Sequence, residues 1–110
     1  MTVNIYDCTP TTIDNYTGSG TSSGGSSTNI VRRSNKMIVL LDLTSSNNAC
    51  NLPTDSEVGD TIEFYANSGP STMWIYAAFG ETFLETSTGI DHIDGAGILR
   101  KISSTQWGKI

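Results

Sequence analysis

Short runs of apolar residues, most of them alternating with polar ones and closed by turn formers, dominate the chain after about residue 35. KMIVLLDL (Lys36 to Leu43) ends in the polar cluster TSSNN, and TIEFYA (Thr61 to Ala66) stops at Asn67-Ser68-Gly69-Pro70. TMWIYA (Thr72 to Ala77) follows at once, so the last two runs predict a hairpin. ETFLET, GILRKI (Gly97 to Ile102) and TQWGKI (Thr105 to Ile110) complete the series. Apolar residues at helical spacing behind a capping residue do not occur in this part of the chain. The reading is all-β: a small antiparallel β-sandwich or jelly-roll-like barrel.

Period-two alternation assigns faces. Ile62, Phe64 and Ala66 share one face, with Glu63 and Tyr65 on the other. Met73, Ile75 and Ala77 oppose Trp74 and Tyr76, so that run is apolar on both sides. Ile98, Arg100 and Ile102 oppose Leu99 and Lys101, and Gly59-Asp60 is a turn that delivers Ile62 and Phe64 to the core. Trp107 is placed to bury a large area at one end of the body.

The first third of the chain reads differently. Thr17 to Thr28 holds twelve residues, all glycine, serine or threonine, which is the composition of a flexible coil. Ahead of it lie Val3, Ile5, Tyr6, Ile13 and Tyr16. The division expected is therefore an extended N-terminal arm over 1–35, with a tether at 17–28, and a β-body over 36–110. No internal repeat is evident from the sequence.

Composition narrows the function. With 110 residues the chain forms one domain, and a body over 36–110 is small enough to gain from association. The formal charge is −5 with 15% charged residues, which argues against nucleic acid as the main partner. Arg32, Arg33 and Lys36 form one small basic group where tether meets body. No apolar run reaches the roughly 20 residues of a membrane span, and the N-terminus lacks the order of a signal peptide. Cys8 and Cys50 are read as free thiols in a reducing cytoplasm, with one bridge as the alternative.

Catalytic and metal chemistry find little support. His92 stands in DHID between Asp91 and Asp94, without a nucleophile elbow and without the second histidine or cysteine of a zinc signal, and it reads as a solvated acidic loop. Asp55, Glu57 and Asp60 lack the alternating order of a calcium loop. No catalytic, cofactor or metal residue is assigned, and the chain is not read as an enzyme. Trp74, Tyr76, Tyr65 and Phe79 are either sugar-stacking rings or, as the favoured reading, residues buried in the sandwich or between subunits.

Leu52-Pro53, Val58-Gly59-Asp60, Asn67, Gly80-Glu81, Gly97, Ser103 to Trp107 and Ile110 occur in an order that resembles a small β-module of tailed-bacteriophage structural proteins. That module occurs in tail fibres, head fibres and capsid decoration (cement) proteins, and the resemblance covers roughly Asn48 to Ile110. It implies a virion structural protein, most of all a homotrimeric decoration protein on the capsid surface, made in the bacterial cytoplasm and bound to the major capsid protein. The arm would tie neighbouring capsid subunits through Val3, Ile5, Tyr6, Ile13, Tyr16, Arg32 and Arg33. The alternative is a tail- or head-fibre component whose β tip binds a receptor or carbohydrate.

Overall fold

The computed structural model describes residues 12–19 and 27–110; Val3, Ile5, Tyr6 and Cys8 lie outside the described residues. Strand β1 (Thr12–Thr17) enters one sheet and β2 (Thr28–Asn29) a second. The chain then returns to the first sheet as β3 (Lys36–Asp42) and to the second as β4 (Ala49–Asn51), and repeats the step as β5 (Thr61–Ser68) and β6 (Thr72–Tyr76). Within each sheet these strands run parallel, β1 beside β3 beside β5 and β2 beside β4 beside β6. The chain therefore winds as a coil of three turns, a short β-solenoid.

The coil ends in a reversal. Four further strands follow, β7 (Thr82–Phe83), β8 (Ile90–Asp94), β9 (Ala96–Ser103) and β10 (Gln106–Lys109). Here β8 runs antiparallel to β6, β9 antiparallel to β5, and β10 antiparallel to β9, while β7 lies parallel to β10. The sheet orders are β1-β3-β5-β9-β10-β7 and β2-β4-β6-β8. The all-β expectation holds, and among the described residues there is no helix. The antiparallel sandwich or jelly-roll does not, because both sheets are mixed and the first six strands pair with one another only in parallel.

Register uncovers a repeat that composition hides. Thr12 lies beside Met37 and Met37 beside Ile62, so one turn advances the chain by 25 residues. In the second sheet Cys50 and its partner Ile75 are also 25 apart, while Thr28 and Cys50 on the first turn are 22 apart. Between the second and third turns residues of similar class, not identical residues, stack, as Val39 on Phe64 and Leu41 on Ala66; on the first turn Thr12 and Asp14 stand beside Met37 and Val39. Alternation along β3 then buries Met37, Val39 and Leu41 between the sheets, in one core with Cys50, Met73, Ile75 and Ile93 from the other sheet. Each large apolar side chain buried this way contributes about 1.5–3 kcal/mol by leaving water. Burial also pushes the Cys50 thiol up to about 12, so it is inert at neutral pH.

The expected hairpin between 61–66 and 72–77 is instead a corner between sheets. The parallel neighbour β3 already lies on one side of β5 and β9 on the other, which leaves β6 to pair with β4. Gly69 makes this corner with φ +83°, and a Cβ there would collide with the Leu43 carbonyl. Leu43 N–H donates to the Ser68 carbonyl at 2.9 Å, which ties this corner to the one before it.

The first turn of the coil absorbs the described part of the expected arm. Tyr16 packs against the core and its hydroxyl accepts from Val31 N–H at 3.2 Å, while Asp14 pairs with Arg33 at 3.0 Å. The two ends of the Gly/Ser/Thr run meet: the Ser19 and Thr28 hydroxyls lie 2.7 Å apart, and Thr28 Oγ1 also donates to the Thr17 carbonyl at 2.7 Å. The run thus begins and ends at a corner of the coil, and residues 12–19 belong to the β-body that was expected to start at 36.

Candidate binding surfaces

The outer face of the six-stranded sheet carries a band of apolar residues. Pairing sets Ile13, Ile38, Glu63 and Ile98 in one cross-strand row and Asn15, Leu40, Tyr65 and Ala96 in the next. Ile110 extends the first row through its N–H bond to the Ile98 carbonyl at 2.9 Å. Ile13 is 59% exposed and Tyr65 41%, with Ile38, Leu40 and Ile98 half-buried. Glu63 is the one carboxylate in these rows, and it accepts a hydrogen bond from the Tyr65 hydroxyl at 2.8 Å. That bond and the nearby negative charge hold the Tyr65 phenol above its usual range. At one margin β1 has no strand beyond it among the described residues, so one backbone edge is open there.

The opposite side of the molecule carries the other three aromatic candidates. Trp74 and Tyr76 point outward from β6, half-buried, and Trp74 lies against His92 with ring centroids 5.2 Å apart and a 50° tilt. Asn29, Asn51 and Tyr76 form a row in register, in which the two asparagine side chains hydrogen-bond at 2.8 Å. Such side-chain ladders are a product of parallel stacking. Just past β6, Phe79 is fully exposed (106%), at the rim of a hollow of about 460 Å³ that Asn29, Asn51, Pro53, Asp55 and Ala78 also line. None of the four aromatic candidates is buried between the sheets, and Tyr65 lies on the far face from the rest.

The charged candidates are internal supports. Arg32 donates from Nε to Asp60 at 2.6 Å and from Nη2 to Glu57 at 3.0 Å, and the Glu57 N–H donates to the same Asp60 carboxylate at 2.9 Å. Burial pushes Asp60 up, but the Arg32 and Glu57 hydrogen bonds, with the charges of Arg32 and Lys101, outweigh it and hold the carboxyl below its usual range. Arg32 is in turn held above its usual value, mainly by the Asp60 bond. The DHID segment is no solvated loop; it is β8, with Asp91 and Ile93 facing inward. Lys109, from the last strand, supplies the compensating charge to Asp91 at 3.1 Å.

Two motif residues meet in the cap, the reversed end of the fold that β7 to β10 form. Glu81 accepts from Trp107 Nε1 at 3.0 Å and from Lys101 Nζ at 2.6 Å, and Lys101 Nζ sits 5.3 Å from the centre of the buried Trp107 ring. Lys101 is only 2% exposed. Alternation pairs it with Leu99, but nothing in the sequence marks that face as the inner one.

No family model, curated protein or solved structure matches the chain. The resemblance to phage structural modules rests on the motif residues alone.

Proposed function

We propose that the chain is a structural protein of a bacteriophage particle, in the manner of a capsid decoration protein, and that it works by adding interface. The observation that carries this is the apolar band of Ile13, Ile38, Leu40, Tyr65 and Ile98 on an otherwise well-packed small body. A cluster of apolar residues on the face of a small acidic protein, interrupted here by Glu63 and Asn15, is a candidate contact surface. The partners proposed are the major capsid protein and copies of the same chain, in a homotrimer as the resemblance implies. Val3, Ile5 and Tyr6 would add contacts from the N-terminal segment, linked to the body and so at high effective concentration. Each copy bridges neighbouring shell subunits at the capsid surface and raises the work of separating them.

The test is to count copies of this polypeptide in purified virus particles by quantitative peptide mass spectrometry. Hundreds of copies per particle are expected for a shell-covering protein. A handful would favour the second reading, a fibre tip, to which the Phe79 hollow lends support. Absence from the particle overturns the proposal. A Leu40→Glu variant should fold normally and lose shell binding, because it places a charge on the band without touching the core.

A further inference from the structure

We infer that the hollow beside Phe79 is a binding site for an uncharged pyranose sugar. Folding makes no use of the Phe79 ring, yet the backbone beneath it is tightly fixed. Ala78 to Glu81 is a turn closed by the Glu81 N–H to Ala78 carbonyl bond at 2.9 Å, with Gly80 at φ +85°. Glu81 is itself anchored by Lys101 and Trp107. The ring is thus held out on a rigid mount, a poor use of an aromatic residue unless something covers it.

The same hollow is lined by groups that match hydroxyls. The Asn29–Asn51 side-chain bond leaves one amide NH₂ and one amide carbonyl over, whichever way round it is drawn. Thr54 and Asp55, both exposed, line the same hollow, as do the apolar Pro53 and Ala78. An apolar ring face beside paired donors and acceptors fits a pyranose, whose C–H face stacks and whose hydroxyls bond sideways. The size falls within that of small-molecule sites. Asp55 and a net charge of −5 select against anionic sugars and nucleic acid. Two backbone donors of the lining are already used inside the fold, Ile30 N–H on the Asn51 carbonyl and Leu52 N–H on the Tyr76 carbonyl, which leaves side chains as the main contacts the hollow offers. The site lies away from the apolar band and does not depend on the assembly role.

The experiment is NMR on the full isolated chain with the methyl glycosides of glucose, galactose, mannose and N-acetylglucosamine, and with methyl glucuronide as the anionic control. At least one neutral glycoside should bind with a Kd of order 1 mM, shifting the side-chain amides of Asn29 and Asn51 and the ring signals of Phe79. Phe79→Ala should weaken it about three- to tenfold with an unchanged melting temperature, because the ring packs on nothing. Asp55→Asn, also exposed, should keep the fold and relax the discrimination against glucuronide. No shift from any neutral glycoside at saturating solubility, an affinity left unchanged by Phe79→Ala, or shifts centred on Trp74 would each overturn the proposal.

Discussion

The three-turn coil and the antiparallel cap solve the same burial problem with different chemistry. In the coil, the parallel register of β3 and β5 places apolar residues over apolar residues 25 positions apart, and Met37, Val39, Ile62 and Phe64 need only be of the right class. In the cap, β9 continues the same sheet, but its inner positions run Gly97, Leu99 and Lys101, and the next strand answers with Trp107. The lysine is tolerated because Glu81 neutralises it and the Trp107 N–H shares the same carboxylate. Gly97 is small because a Cβ there would press on the Ile93 side chain. Apolar stacking is permissive about register, whereas a buried ion pair with a shared indole donor is satisfied in one arrangement only. The cap is where the coil's propagation is stopped, and it is where geometric specificity is most useful.

The sharpest test of this contrast removes one large residue from each region. Phe64→Ala and Trp107→Ala should each cost about 3–5 kcal/mol in denaturant unfolding. Both should retain one cooperative transition, because β9 pairs with β5 and both residues share one core. Two separate transitions for Trp107→Ala would make the cap an independent unit and break the comparison. Next comes the ion pair: Glu81→Leu strands a buried ammonium and an indole N–H, at about 3–5 kcal/mol. The double change Glu81→Leu with Lys101→Met should recover most of that loss, which a double-mutant cycle would measure. If the double variant is as unstable as the single, packing rather than charge compensation governs the cap.

Smaller effects distinguish corners. Gly69→Ala should cost about 1–3 kcal/mol, since the left-handed backbone and the Leu43 carbonyl both oppose it. Gly59→Ala, with φ +97° and open space around it, should lose only about 1 kcal/mol. Melting temperatures of the two variants check the order. Smallest is the acid limb of stability. The Asp60 carboxyl titrates below its unfolded value, so its stabilising contribution is present above the ordinary carboxylate range near pH 3.9 and is lost as pH falls through the folded value. Asp60→Asn should therefore flatten the stability profile below about pH 4, and an unchanged slope would remove Asp60 from the account.

Strand positions are largely legible in the amino-acid pattern. The runs at 36–42, 61–66, 72–76, 97–102 and 106–109 form strands, and alternation puts Ile62 with Phe64 and Met73 with Ile75 on faces that the fold buries. Val58-Gly59-Asp60 is legible as a turn, but not as the seat of Arg32, which comes from 28 residues earlier. The strand over DHID escapes a local reading because a carboxylate facing inward looks prohibitive until Lys109 is brought beside it. The hollow escapes for the same kind of reason, as Asn29, Asn51 and Phe79 are joined only by the coil.

Local sequence determined which residues form strands and which side chains are apolar, because period-two alternation and turn chemistry act over a few residues. Tertiary structure alone decided which strand lies beside which. An alternating strand accepts any neighbour that offers a matching face, parallel or antiparallel, and the choice falls to the packing of the whole. Here a winding of about 25 residues stacks apolar on apolar between its second and third turns, and antiparallel β8 and β9 end it, with the Glu81–Lys101–Trp107 group packed in the reversal.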